Sequence, residues 1–278
     1  MQTAQAYSVT SVRAARSSAL RARNVIDPYE KVRLTRELAR EVLGVQRTPA
    51  IELRGIPKPP KLVSPKLLPQ RSLASAAGRA SLLHAVAHIE FNAINLALDI
   101  VARFDATSSA FVLDWLSVAE EEAYHFSLLQ GHLVSLGANY GDFDAHNGLW
   151  EMAEKTKTSL LSRLALVPRT LEARGLDVSP AMREKLLQAG DVRAAEILSI
   201  ILRDEVGHVA IGNRWFRYYC AEAELDPMAT FERLWIEHDA PSPRPPFNRA
   251  ARLAAGFVAE ELDWLDSQAK RTPTRSAQ

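Results

Sequence analysis

Cysteine is nearly absent from this 278-residue sequence, which contains Cys220 and no other. An intramolecular disulfide is therefore excluded, as is a redox motif built from paired cysteines, and the cysteine content fits a reducing compartment. The sequence also lacks a Gly-x-Gly-x-x-Gly motif and a phosphate-binding loop. These absences argue against a bound nicotinamide or flavin and leave the chemistry to other side chains.

Long apolar runs and an excess of charge are absent as well. No stretch approaches the roughly 18 continuous apolar residues of a membrane-spanning helix, and the N-terminal residues lack the apolar block of a secretory signal. The formal net charge is +1, so no overall basic excess attracts nucleic acid or an acidic membrane. We therefore expect a cytoplasmic protein without a membrane partner and disfavour a nucleic-acid partner, while the oligomeric state stays open.

The first 25 residues contain no acidic side chain. They carry Arg13, Arg16, Arg21 and Arg23 together with many alanines and serines. That composition is typical of a disordered tail or of an organelle transit peptide. We predict a disordered tail over residues 1–25.

Helical periodicity dominates the rest of the chain, and the core shows no alternation of the kind that marks a β-strand. We predict an all-α fold with a four-helix bundle over residues 71–220. A helix and a proline-rich extended segment precede it over residues 26–70, and a helical appendage follows over residues 221–278. The bundle helices are expected at residues 72–104, 109–136, 148–174 and 180–219, and the appendage helices at residues 227–238 and 248–270.

Glycine, proline and serine set the expected boundaries of the bundle helices. Gly137 and Gly175 stand where the second and third helices should end, because glycine readily adopts the left-handed conformation that ends a helix. Pro168 should kink the third helix. Ser179-Pro180 should begin the fourth, since serine caps a helix and proline suits its first turn.

Two Glu-x-x-His motifs occur in the bundle, at Glu122–His125 and at Glu205–His208. Residues three apart lie on one face of a helix, so each motif directs a carboxylate and an imidazole the same way. Both motifs stand in apolar surroundings, where buried ionisable groups persist if they are paired or bind metal. One such motif is more often a solvated helix face than a site, so the spacing of further carboxylates decides the interpretation.

Two more glutamates complete a repeated pattern. Glu90 precedes Glu122 by 32 residues, and Glu172 precedes Glu205 by 33. Each gap fits half a helix, a turn and half a helix, which returns the chain to the same height in an antiparallel hairpin. Two hairpins of this kind would bring six ligands together, as in di-metal carboxylate bundles. The predicted ligands of two metal ions are Glu90, Glu122, His125, Glu172, Glu205 and His208.

The donor set indicates which metal to expect. Four carboxylates and two imidazoles favour iron or manganese, whereas zinc favours sulfur and nitrogen ligands. Four negative charges also neutralise two divalent ions, which makes a buried site electrostatically feasible. We expect two iron ions, or an iron and manganese pair, and no catalytic side chain beyond the metal ligands.

Other polar residues near these motifs have competing interpretations. Asp204 lies one turn before a predicted histidine ligand and could accept a hydrogen bond from that ring. Equally, it could pair with Arg203 at the surface, and the sequence leaves both open. His84 and His88 could chelate a metal, but His88 lies about 160° round the helix from Glu90. We therefore interpret these two histidines as packing residues.

The segment RDEVGH resembles the Arg-Asp-Glu-x-x-His signature of oxygen-activating members of the ferritin-like superfamily. The resemblance implies a ferritin-like four-helix bundle and makes Asp204 the hydrogen-bond partner of a ligating histidine. The sequence LEARG resembles the third-helix motif of tRNA-modifying diiron hydroxylases. That likeness supports Glu172 as the ligand over Glu151 and Glu154.

Longer stretches resemble an uncharacterised family, the domain of unknown function numbered four hundred and fifty-five. The resemblance covers roughly residues 26–265 and implies no substrate. The matching stretches are GRASLLHAVAHIEFNAINLALDIVARF, YGDFDAHNGLWE, VPRTLEARGLDVSP, ILRDEVGHV and PPFNRAARLAAGF.

Three functions are compatible with these residues. The first is an oxygen-dependent oxidase or hydroxylase of an unknown small organic molecule, which would need an external electron donor. The second is a metal-binding or iron-handling protein without catalysis. The third, hydroxylation of a tRNA base, follows the LEARG likeness but is weakened by the near-zero net charge, since binding RNA phosphates needs a basic surface.

Overall fold

The computed structural model describes residues 9–44, 59–69 and 71–271. Over these residues the fold is all-α, as predicted, and the only β contact is an isolated bridge between Leu62 and Ala145. The chain divides into two compact units. Unit 1 comprises Met1–Glu151 and Lys185–Ile197, and unit 2 comprises Met152–Glu184 and Leu198–Gln278.

Four long helices build most of unit 1. The pair α3 and α4 form a helical hairpin joined by a short loop, while α1 packs on α3 and α2 packs on α4. The apolar side chains between them form the core of the unit. Their bounds are α1 Val9–Asn24, α2 Pro28–Leu43, α3 Ala76–Arg103 and α4 Ser109–Ser135.

Side-chain caps explain where these helices begin. The carboxylate of Asp27 accepts a hydrogen bond from the Glu30 amide at 2.8 Å and starts α2. The hydroxyls of Ser75 and Ser108 do the same for α3 and α4, at 3.1 and 3.2 Å. Each cap satisfies an amide of the first turn that has no partner within the helix. Gly137 follows α4 with a φ of 77°, so the predicted end of that helix is confirmed.

The predicted disordered tail is wrong over the residues that the structure describes, because Val9–Asn24 forms α1. Three alanines spaced as one helix face, Ala15, Ala19 and Ala22, are buried. The guanidinium of Arg16 donates to the carbonyls of Val101 at 2.5 Å and Phe104 at 2.7 Å. These bonds satisfy carbonyls at the end of α3 and hold α1 in place.

The rest of the chain is also helical. In chain order, the elements are α5 Gly148–Lys155, α6 Leu160–Leu166, a π-helix Val167–Glu172, α7 Ala173–Gln188, α8 Val192–Glu222, α9 Pro227–Glu237, α10 Arg249–Ala254 and α11 Ala259–Arg271. Unit 2 contains α6, the π-helix, most of α7 and α8, and α9 to α11. The short helix expected at residues 227–238 is confirmed as α9.

The predicted third bundle helix is divided in the structure. Helices α5 and α6 are separate, and Pro168 stands in a π-helix rather than at a simple kink. Proline has no amide hydrogen for the helical ladder. Within the same turn, the Thr170 hydroxyl donates to the Ala165 carbonyl at 2.9 Å. The ring of Pro168 fits against Gly212, where an added Cβ would lie 2.5 Å from the proline Cβ.

Three other predicted boundaries are corrected. Gly175 does not end a helix, because α7 continues through Pro180 to Gln188. Gly190, with a φ of 78°, follows α7, and the Asp191 carboxylate accepts from the Ala194 amide at 3.0 Å to start α8. The final predicted helix is split at Gly256, which has a φ of 87°. A left-handed residue ends a helix whatever the apolar pattern around it.

The predicted proline-rich segment lies only partly within the described residues, since residues 45–58 fall outside them. Residues 59–64 are extended, and a single short turn of 3₁₀-helix follows at Pro65–Leu67. The amide of Val63 donates to the Ala145 carbonyl at 2.8 Å, and the Ala145 amide donates to Lys61 at 2.9 Å. These bonds attach the segment to the loop after α4. The predicted division of the chain into a four-helix bundle with a preceding segment and a following appendage stays a prediction.

One described helix, α3, is long and apolar enough to cross a membrane by length and composition. However, 72% of its apolar window is buried within the structure, as in the core helix of a globular protein. It also carries the polar side chains His84, His88, Glu90 and Asp99, each of them buried. The apolar character of α3 is thus weak evidence for a membrane span.

Candidate metal centre

Unit 1 brings together three of the predicted ligands. Glu90 comes from α3, and Glu122 and His125 come from adjacent turns of α4. The Nδ1 atom of His125 lies 3.1 Å from Glu90 Oε2 and 3.5 Å from Glu122 Oε2. Each of the three side chains offers one ligand atom, and these atoms lie within 4.8 Å of one another. Buried carboxylates and an imidazole therefore converge on one point.

Burial makes this cluster chemically unusual. Glu122 and His125 are 0% exposed, and Glu90 is 3% exposed. Moving a carboxylate out of water is costly unless hydrogen bonds, an opposite charge or a metal ion compensate it. Two carboxylates beside each other add a mutual repulsion that a divalent cation removes. The donors present are carboxylate oxygen and imidazole nitrogen, and the cluster could hold a metal ion.

Unit 2 contains the second Glu-x-x-His pair, on α8. The Nδ1 atom of His208 lies 3.6 Å from Glu205 Oε1, so the predicted sharing of one helix face is confirmed for this pair. His208 is 1% exposed and Glu205 is 9% exposed. The corresponding distance from His125 to Glu122 is 3.5 Å. The two motifs therefore have nearly the same local geometry and the same ring nitrogen beside the carboxylate.

Glu172 has a different setting from the other predicted ligands. It is the last residue of the π-helix Val167–Glu172 and is half-buried. A π-helix shifts the faces on which the following side chains emerge, and such segments are frequent at functional sites. The ligand role of Glu172 stays a prediction.

Asp204 pairs with its neighbour Arg203. The guanidinium Nε donates to Asp204 Oδ1 at 2.9 Å, and a second nitrogen donates to Oδ2 at 3.2 Å. The arginine side chain is 66% exposed and that of the aspartate only 9% exposed. This contact matches the surface pairing considered from sequence, while the hydrogen bond from Asp204 to a ligating histidine stays a prediction.

His84 and His88 have the packing role predicted for them. His84 Nε2 accepts from the Gly141 amide at 2.8 Å, and His88 Nδ1 lies 2.8 Å from Tyr140 Oη. Burial lowers the pKa of both imidazoles to about 4, so they are neutral at physiological pH. The two histidines anchor the loop that follows α4.

Lys31 is a buried residue that the sequence analysis missed. It lies on the same stripe of α2 as Thr35 and Leu38, and all three are buried. The Lys31 side chain is therefore an ammonium at a position with core spacing. That spacing is the signal that could have identified Lys31 as buried. Lysine is common on helix surfaces, so residue type alone predicts an exposed side chain.

Comparison with known proteins places the chain in a family. The family model described as a protein of unknown function, DUF455, matches residues 24–263. An uncharacterized protein of Haemophilus influenzae (strain ATCC 51907 / DSM 11121 / KW20 / Rd) is 46% identical over 256 residues, covering 86% of this chain and 89% of the relative. No solved structure matches the chain significantly. The likeness seen in the long motifs is thus confirmed, and the chain belongs to the DUF455 family.

Proposed function

We propose that the chain is a dimetal carboxylate protein of the ferritin-like type that holds two iron ions, or an iron and manganese pair. The ion-binding side chains would supply four carboxylates and two imidazoles. They are the six predicted from the sequence: Glu90, Glu122, His125, Glu172, Glu205 and His208.

The observation that carries this proposal is the buried cluster of Glu90, Glu122 and His125. Its ligand atoms lie within 4.8 Å of one another, and His125 Nδ1 contacts a carboxylate oxygen from two different helices. A chance surface motif would not bury three ionisable groups at one point. The Nδ1 lone pair and the carboxylate oxygens are the atoms that would bind an ion there.

The second Glu-x-x-His pair supports two ions rather than one. Glu205 and His208 reproduce the contact of Glu122 and His125 to within 0.1 Å, because the two Nδ1 distances are 3.6 and 3.5 Å. A repeated pair with an equivalent upstream glutamate is the pattern of two ligand sets. Asp204 is proposed to orient a ligating histidine in the metal-bound protein.

We propose that the activity is the oxygen-dependent oxidation or hydroxylation of a small organic molecule. A reduced iron pair, when bound, supplies the electrons and the open coordination positions that oxygen activation needs. The chain's own residues hold the ions, keep bulk water from the buried carboxylates and fix the imidazole rings. An external electron donor is required, and we expect the protein in the cytoplasm without a membrane partner.

Two alternatives follow from the same residues. A non-catalytic metal-binding or iron-handling protein would use the same buried ligands without oxidising a substrate. A tRNA-modifying hydroxylase follows from the likeness of LEARG, but the formal net charge of +1 opposes RNA binding. Oxygen consumption and salt-dependent RNA binding separate these alternatives from the first proposal.

The test begins with the metal content of protein purified without added metal, measured by mass spectrometry. About two ions per chain are expected in the wild type. Loss is expected in Glu122→Gln, Glu205→Gln and the double variant Glu205→Ala, His208→Ala. Glu154→Ala, which removes a half-exposed carboxylate of α5, is the matched control and should keep both ions.

Further measurements distinguish the outcomes. Circular dichroism and thermal unfolding show whether a variant is folded, and the isosteric glutamine variants guard against general damage. A folded wild type that contains no metal and takes up no added iron would contradict the proposal. Metal binding without oxygen consumption by the iron-loaded, reduced protein would leave the iron-handling alternative.

A further inference from the structure

Unit 1 contains a cavity of about 320 Å³ that the metal ligands do not line. Its walls come from the end of α1, the start of α2, the middle of α3, the segment near Pro60, the loop that follows α4 and the start of α5. This volume is at the small end of the range for ligand-binding pockets. The cavity can therefore accommodate a compact small molecule.

Lys31 places an amino group at this cavity, and the group is positively charged below about pH 7. The residue is 1% exposed, and its Nζ donates to the carbonyls of Ala22 at 3.0 Å and Arg23 at 2.6 Å. An ammonium has three N–H donors, so two are used by these carbonyls and one remains. Burial, together with the charge of Arg23, lowers the pKa of Lys31 to about 7. An anion beside this group would favour its charged form.

Arg23 provides a second cation in the wall. Its guanidinium donates to Asp99 Oδ1 at 2.6 Å, which fixes its position. Asp99 also binds Arg103 at 2.8 Å, so one carboxylate is shared between two arginines. Among the described residues that line the cavity, none is aspartate or glutamate. The charged side chains in the described wall, Arg23 and Lys31, are therefore both basic.

The remaining walls combine aromatic rings with hydrogen-bond donors. The Lys31 Nζ lies 5.6 Å from the centre of the Phe91 ring, and Arg23 lies 6.0 Å from the Trp150 ring. Asn92 Nδ2 lies 3.2 Å from His88 Nε2. If that amide donates, the His88 Nδ1 proton is directed to Tyr140, whose own phenolic proton can then be donated to a ligand.

We propose that this cavity binds a small aromatic carboxylate. The carboxylate would pair with the remaining N–H of Lys31 and the phenol of Tyr140, and the ring would pack against Phe91 and Trp150. A carboxylate suits a cavity that offers donors and positive charge but no acidic side chain. This site is separate from the proposed metal centre, and its occupancy does not require metal.

The test is calorimetric titration of the full-length protein with benzoate and phenylacetate, each compared with its neutral amide. The carboxylates are expected to bind at least about tenfold more tightly than benzamide and phenylacetamide, because the amides lack the charge that Lys31 recognises. Lys31→Met, which keeps the length of the side chain without its charge, should weaken carboxylate binding by about tenfold or more. Lys157→Met, at a half-exposed lysine, is the control and should bind like the wild type.

Fluorescence locates the ligand. Bound carboxylate should change the emission of Trp150, and Trp150→Phe should abolish that change. Equal affinity for acid and amide, no binding of either acid at millimolar concentration, or unchanged binding by Lys31→Met would overturn the proposal. Glu205→Gln should lose metal yet keep benzoate binding, so failure of the metal proposal and failure of this one give different results.

Discussion

Two buried cations, Arg169 in unit 2 and Lys31 in unit 1, are compensated in different ways. In unit 2, Arg169 is 1% exposed and donates to Glu261 and, at 2.6 Å, to Asn213 Oδ1. The rings of Phe216 and Phe231 lie 4.3 and 4.6 Å from its guanidinium carbon. A carboxylate, an amide and aromatic faces thus compensate the buried charge.

In unit 1, the buried cation Lys31 is held by the carbonyls of Ala22 and Arg23. Burial, together with the charge of Arg23, lowers the pKa of Lys31 to about 7. Carbonyl dipoles offset this less than a carboxylate would. Burial also lowers the pKa of Arg169, but only to about 10, so that guanidinium keeps its charge. The comparison separates a buried charge paired with a carboxylate from one held by backbone carbonyls.

The largest loss of stability is expected when the carboxylate that compensates Arg169 in unit 2 is removed. Glu261→Ala removes the carboxylate that accepts from Arg169 and, at 3.0 Å, from Arg217. Leaving a buried cation without its partner should cost about 3–5 kcal/mol in the free energy of unfolding, measured by urea denaturation. Glu260→Ala, at an exposed neighbour, should change it by no more than about 0.5 kcal/mol. A loss below about 1 kcal/mol for Glu261→Ala would show that the pair is not needed.

A smaller loss of stability is expected where α8 packs closely against Pro168. Gly212→Ala would place a Cβ 2.5 Å from Pro168 Cβ, and a proline ring can move little to relieve the contact. Overpacking of this kind costs about 1–3 kcal/mol, so a lower melting temperature is expected in a thermal scan. Gly207→Ala, at a glycine with no heavy atom within 4 Å of the added Cβ, is the matched control on α8. Equal melting temperatures for the two variants would contradict the tight contact.

The lowered pKa of Lys31 in unit 1 should make the free energy of unfolding depend on pH. Between about pH 7 and the ordinary lysine pKa of 10.5, the unfolded chain binds a proton at Lys31 that the folded chain has released. Stability therefore rises with pH through this window, by up to about 1.4 kcal/mol per pH unit. His88, with a pKa of about 4, and Tyr140, whose pKa burial raises, share the cavity wall but do not titrate near pH 8.

Denaturant unfolding at pH 7.5 and 8.5 tests this prediction. The wild type should gain stability between the two pH values relative to Lys31→Met, which lacks the titrating amine. The difference isolates Lys31 from groups that titrate in both proteins. Parallel pH profiles for the two proteins would show that Lys31 has an ordinary pKa.

The smallest losses of stability are expected from removing serine helix caps, and they should be the same in both units. Ser108 caps α4 in unit 1 and Ser159 caps α6 in unit 2, each accepting an amide hydrogen bond at 3.2 Å. Ser108→Ala and Ser159→Ala should each cost about 1 kcal/mol, measured by chemical denaturation. A large difference between the two variants would mean that the units differ in more than their buried charges.

Local signals in the sequence predicted the ends of α4 and the shared helix face of each Glu-x-x-His pair. Helix α4 begins at Ser109 and is followed by Gly137, as expected. The spacing of three residues put each glutamate and histidine of a pair together. Caps and helix faces depend on residues a few positions apart. Caps and helix faces can therefore be predicted without knowledge of the rest of the fold.

Features that depend on distant residues could not be read in this way. Pro168 in the π-helix packs against Gly212, 44 positions away, and the buried Arg169 pairs with Glu261, 92 positions away. Gly175 and Pro180 carry strong signals for a helix boundary, yet α7 passes through both. Tertiary packing overrides such local preferences, because burying a helix face contributes more free energy than the preference of one residue for a helix end.

The hydrogen bonds of Arg16 bear on how this protein should be produced for experiment. The first 25 residues look dispensable by composition, and a shortened chain that begins after them would be a natural choice. Such a chain would lose the guanidinium that satisfies the Val101 and Phe104 carbonyls, and with Arg23 it would lose one wall of the cavity. Measurements of ligand affinity on that shortened protein would describe an opened pocket, so assays of this family member should keep the arginine-rich start of the chain.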